Sequence, residues 1–134
     1  MVVTAIQIGL DPDVIDFAAP DFAQFPGLTR ERLWAANEAN VAGLRAAGYR
    51  VDNCLIPFGE AGASKARQWL EAGSYDAVLI GAGVRLVAGN TLLFEAIVNA
   101  AHISQPGCRF VFNKAAVATP DDIRRWYPDA AARA

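Results

Sequence analysis

Apolar positions along this chain repeat in two rhythms, and the alternation between them predicts four strand–helix pairs. Residues 2–9 (VVTAIQIG) are rich in β-branched side chains and predict the first strand. Thr29 is a good N-cap for a helix over 30–47, which Gly48 ends. A second strand over 50–56 begins polar, which suits a sheet edge, and a second helix over 61–72 stops at Gly73. Residues 76–80 (DAVLI) form the continuous apolar run of a central parallel strand buried on both faces. A third helix over 91–103, starting at Asn90 or Thr91, closes at Pro106-Gly107. Residues 109–112 (RFVF) give the fourth strand. Thr119-Pro120-Asp121-Asp122 opens a last helix that ends before Pro128, leaving 129–134 as a frayed tail.

Strands alternating with helices imply a parallel sheet with helices on both faces, a three-layer α/β sandwich. Right-handed crossovers narrow the strand order to 2-1-3-4, as in a flavodoxin-like or Rossmann-like fold. No linker divides the chain, so residues 1–134 read as one domain. In such a sheet a ligand binds beyond the carboxyl ends of the strands, where the chain order reverses, here between strands one and three.

The two segments that leave those strands are the least ordinary in the sequence. Residues 10–28 (LDPDVIDFAAPDFAQFPGL) make a connection far longer than the usual two to about six residues. It carries Phe17, Phe22 and Phe25, three prolines and four aspartates. It reads either as a lid or pocket wall, or as a strap covering a sheet face or a partner subunit. Residues 81–90 (GAGVRLVAGN) follow the buried third strand. Gly81 and Gly83 permit close approach of a ligand, and the helix start at Asn90 and Thr91 offers free N–H groups. Arg85 can grip a carboxylate or phosphate with two prongs, or pair with Asp11 or Asp13. A dinucleotide fingerprint fails, because Leu86 stands where its third glycine is needed. Asn113 and Lys114, just past the fourth strand, lie on the same edge.

Other chemistry is thinner. Asp11-x-Asp13 after a strand has the look of a phosphatase nucleophile and acid/base pair, but Gly81 ends the third strand where that chemistry needs Thr or Ser. Asp11 and Asp13 are therefore weak catalytic candidates. The single histidine, His102, shares a polar stripe with Glu95 and Asn99, which reads as a solvated face. Pro57-Phe58-Gly59-Glu60 is a further minor candidate. Cys54 and Cys108 read as buried reduced thiols, and no spacing suits a metal. A cofactor is not legible.

YDAVLIGAGVR (75–85), LLFE (92–95), His102 and the FN…TPDD…W stretch (112–126) resemble small bacterial α/β proteins. That resemblance spans most of the chain. It implies a flavodoxin-like or Rossmann-like fold and a bacterial protein, and carries over no activity.

Composition sharpens the picture. In 134 residues, 54% are hydrophobic and 19% charged, with a net charge of −2. That excludes disorder and argues against nucleic acid, which calls for a basic face. No apolar run reaches membrane-spanning length, and the start lacks the basic region of a signal peptide, so a cytoplasmic protein is expected. Two functions fit. One is binding of a small anionic ligand at the switch point by Gly81, Gly83, Arg85, Asn90 and Thr91, with or without turnover. The other is a non-enzymatic homodimeric interaction module, using 10–28 and an unusually apolar third helix. An open crevice holding Arg85 favours the first, and one plugged by phenylalanines favours the second.

Overall fold

The computed structural model describes residues 1–131. Four parallel strands, β1 (Thr4–Leu10), β2 (Arg50–Ile56), β3 (Ala77–Ile80) and β4 (Arg109–Phe112), form one sheet in the order β2-β1-β3-β4. Central β1 aligns Ile8 with Cys54 on one side and Ile80 on the other. The fold is the α/β sandwich, of flavodoxin-like order, that the alternation of elements predicts.

Side chains alternate across each strand, so every strand feeds two layers. On one face, Ile6, Ile8, Cys54, Ile56, Val78 and Ile80 are sealed by α2 (Gly59–Ala72) and α4 (Thr91–Ser104). On the other, Val3, Ala5, Val51, Ala77, Leu79 and Val111 meet Leu44 of α1 (Arg30–Ala46) and Ile123 near the carboxyl terminus. Thr29 caps α1 as expected: its hydroxyl accepts from the Arg32 N–H at 3.1 Å. Gly48, at φ +96°, supplies the left-handed turn that ends it.

The segment 81–90, read as a glycine loop, contains a one-turn helix α3 (Ala82–Arg85) and a 3₁₀ turn (Ala88–Asn90). The last helix is shorter than expected. Thr119 is its first residue, not its cap, and α5 (Thr119–Asp122) tightens at once into a 3₁₀ turn (Ile123–Arg125). Asp122 is the reason this turn is anchored: its buried carboxylate accepts the Lys114 N–H at 3.0 Å and pairs with Arg125. The chain then swings back. Ala130 is buried and its carbonyl accepts from the Val3 N–H at 2.7 Å, so the expected frayed tail is docked there; residues 132–134 of it lie outside the described residues.

Candidate functional site

Along its α1 side, β1 presents Ala5, Gln7 and Gly9 in succession, so side-chain bulk falls away toward the carboxyl end of the sheet. Gly81 continues β3 in the same way, and the facing wall of α1 is lined by Ala35, Ala36 and Ala39. Small residues on both walls leave an open crevice of about 810 Å³ between α1 and the sheet. Clefts of this size hold small molecules.

The crevice is roofed by the 10–28 connection. Pro12, Ile15, Phe22, Phe25 and Leu28 line it. Phe22 is buried and stacks its ring between Phe17 and Phe25, with centroids 6.2 and 6.1 Å away. Trp34 Nε1 donates to Asp13 Oδ1 at 3.0 Å, and Gln24 Nε2 donates to the Leu86 carbonyl at 3.0 Å, pinning the roof to α1 and to the α3 segment. The long connection is thus a pocket wall, and its Phe22 and Phe25 border the crevice without filling it. Asn113, Lys114, Ala116 and Val117, after β4, close the far side.

The floor is polar only near α1. Gln7 Nε2 donates to Asn37 Oδ1 at 2.9 Å and to Asn53 Oδ1 at 3.3 Å. Asn40 is buried and its Nδ2 donates to the Ala116 carbonyl at 2.7 Å. Gln7 Oε1 and Asn40 Oδ1 are buried and have no hydrogen-bond partner among the described residues. Each such acceptor costs about 1–3 kcal/mol, and exceptions of this kind call for an explanation.

Gly9 is the second anomaly. A glycine inside a strand weakens it, and here neither backbone nor packing demands one: φ is not positive, and a Cβ at Gly9 would meet nothing within 4 Å. Gly81 likewise has room, its nearest contact being the Ile8 carbonyl at 3.8 Å. A strand glycine facing open space marks a place kept clear.

The residues singled out from sequence divide. Gly81, Gly83, Asn113 and Lys114 line the crevice; Arg85, Asn90, Thr91, Asp11 and Asp13 do not. Arg85 donates to the Ile80 carbonyl, to Asn113 Oδ1 at 2.8 Å and to the Asn113 carbonyl at 3.1 Å, and lies 4.9 Å over the Phe112 ring. Its guanidinium clamps the ends of β3 and β4 together, with neither aspartate involved. Burial lowers its pKa, with Asp122 opposing. Asn90 Nδ2 donates to the Gly83 carbonyl at 2.9 Å and Thr91 Oγ1 to the Ala88 carbonyl at 2.8 Å, so both brace the turn before α4. Asp11 Oδ1 accepts from the Asp13 N–H at 2.9 Å and caps a 3₁₀ turn. Lys114, exposed at the mouth, has an ammonium with no hydrogen bond or ion pair among the described residues.

Away from the crevice, Glu95, Asn99 and His102 all face solvent on α4. Burial pushes the Cys54 thiol up to about 11, so it stays neutral and inert. Tyr75 is raised too, by burial and by donating its O–H to Asp52 Oδ2 at 2.6 Å. Among the described residues, no three His, Cys, Asp or Glu side chains gather as a metal site. No helix there is long and apolar enough to cross a membrane.

Gln7, Gly9, Asn37 and Asn40 escaped the sequence reading. Their signal was present: a glutamine and a glycine two apart on one face of an apolar strand, and two asparagines three apart on the inward side of α1. Compared with known proteins, the chain matches no family model, no curated protein and no solved structure.

Proposed function

We propose that this protein binds a small, largely apolar molecule with an acidic group, held in the crevice between α1 and the carboxyl ends of β1, β3 and β4. The observation that carries the reading is the empty space over Gly9, in a crevice walled by both of the unusual connecting segments. The apolar roof and small-residue floor suit an apolar body. The acidic group belongs at the mouth: among the described residues Lys114 and Arg32 are the cations that line the crevice, and no Asp or Glu lines it. Binding without turnover fits the lining, which offers no His, Cys, Asp, Glu or Tyr as acid, base or nucleophile.

The test is a thermal-shift screen of aromatic and aliphatic carboxylates on the wild type, Gly9→Leu and Lys114→Ala. A ligand present near 100 Kd stabilises by about 2.7 kcal/mol. Stabilisation should vanish in Gly9→Leu and weaken in Lys114→Ala. Full retention in Gly9→Leu removes the ligand from this crevice.

A second reading, a homodimer, is favoured by α4: Leu92 and Ile103 are 76% and 79% exposed on its outer side. They stand on the layer next to the β4 edge, and twofold pairing there would cover both. Light scattering at tens of micromolar decides, a monomer removing this reading. The two free thiols, Cys54 and Cys108, support a reducing compartment such as the cytoplasm. The resemblance noted in the sequence supports a bacterial source.

A further inference from the structure

The proposed crevice has a sided inner wall, and the inference drawn from it rests on that reading. Three carboxamides, Gln7, Asn37 and Asn40, line the crevice between α1 and β1. Gln7 gives both of its N–H groups to neighbouring asparagine oxygens, and Asn40 gives one to the Ala116 carbonyl. The buried side-chain atoms here that have no partner at all are two oxygens, Gln7 Oε1 and Asn40 Oδ1. An acceptor-only group set against these two oxygens would meet lone pairs. A group bearing N–H or O–H would meet acceptors.

We propose that the inner end of the ligand carries an uncharged hydrogen-bond donor, received by Gln7 and Asn40, while its acidic group stays at Lys114. Both oxygens are closed off in the empty protein. The amide torsions that turn them, χ3 of Gln7 and χ2 of Asn40, have broad wells, so an entering donor can draw both oxygens toward it at the expense of the Gln7 N–H bonds to Asn37 and Asn53. The donor is uncharged because no carboxylate lines the crevice to neutralise an ammonium. The ligand class is therefore an aromatic or heteroaromatic acid with an N–H or O–H remote from the acid, such as an indole or lactam ring.

Two probes of matched shape and charge isolate the donor: indole-3-carboxylate and 1-benzofuran-3-carboxylate, which differ by N–H against ring oxygen. Titration calorimetry on the wild type should show the indole binding about fivefold or more tightly, the worth of one neutral hydrogen bond. Gln7→Met keeps the volume and removes the acceptor, so the two affinities should converge while both acids still bind. Asn40→Ala should act in the same direction, and because its loss also frees Ala116, Gln7→Met stands as the deciding variant if Asn40→Ala melts early. Equal affinities in the wild type overturn the donor inference and leave the crevice reading intact. A preference that persists in Gln7→Met and Asn40→Ala overturns the assignment to these residues. Failure of both acids to bind at millimolar concentration, or binding undiminished by Gly9→Leu, overturns both readings.

Discussion

The two faces of β1 differ more than any other pair of surfaces in this molecule. Ile6, Ile8 and Leu10 project toward α2 and α4 and are almost wholly buried among branched aliphatics. Ala5, Gln7 and Gly9 project toward α1, where the layer opens into a crevice. One strand thus carries a dry, filled core on one side and a hollow, partly polar one on the other. The difference teaches where packing is tight and where it is relaxed: the α2/α4 face holds the sheet, and the α1 face leaves the crevice.

Substitutions on either side can break or sharpen that contrast. The largest effect is expected at Ile8, fully buried in the filled face: Ile8→Ala should destabilise by about 2–5 kcal/mol in urea unfolding, with little leverage on ligand class. A cost under about 1 kcal/mol would mean this face is loosely packed. Next is Arg85, half-buried and bonded to two backbone carbonyls and a side-chain oxygen. Arg85→Ala should lower stability by about 1.5–3 kcal/mol, the range for hydrogen bonds to a charged group, while leaving ligand affinity within about twofold. Lost affinity without lost stability would restore Arg85 as a ligand contact. Gly9→Leu, one residue from Ile8 but on the hollow face, should change stability by less than about 1 kcal/mol, because its side chain enters open space and strand propensity favours the change. It should nonetheless abolish binding in calorimetry. The smallest stability effect belongs to Lys114→Ala, within about 0.5 kcal/mol as an exposed change, seen instead as weaker binding of acids and a flatter salt dependence.

The same asymmetry explains what the sequence disclosed. DAVLI and the branched residues of β1 carry a strong periodic signal, and the element order with right-handed crossovers left 2-1-3-4 as the natural topology. The position of the crevice was legible too, because residues 10–28 and 81–90 are anomalous in length and glycine content, and both line it. The individual contacts were not. Arg85 after two glycines looks like an anion grip until Asn113, twenty-eight residues on, is seen to take its guanidinium. Gln7 stands inside an apolar strand with no polar neighbour beside it in sequence, and its partner appears only when α1 brings Asn37 against it. The shortened last helix has the same origin: Asp122 reads as a first-turn acid, yet its carboxylate reaches back to the Lys114 backbone, eight residues upstream. In each case the deciding partner is remote in sequence and small in hydrophobic signal.

The hollow face is built from the smallest side chains, Gly9, Gly81, Ala35, Ala36 and Ala39, and at Gly9 and Gly81 the backbone would accept larger ones. Gly9 and Gly81 can each gain a side chain and reshape the chamber while the aliphatic layer across the sheet keeps its contacts. Drift at such sites would alter the shape of the accepted guest in small steps, without the collapse that usually follows changes inside a protein. The fold is in that sense evolvable: a lineage carrying it can vary the chamber on one side of a strand while selection for folding acts on the other.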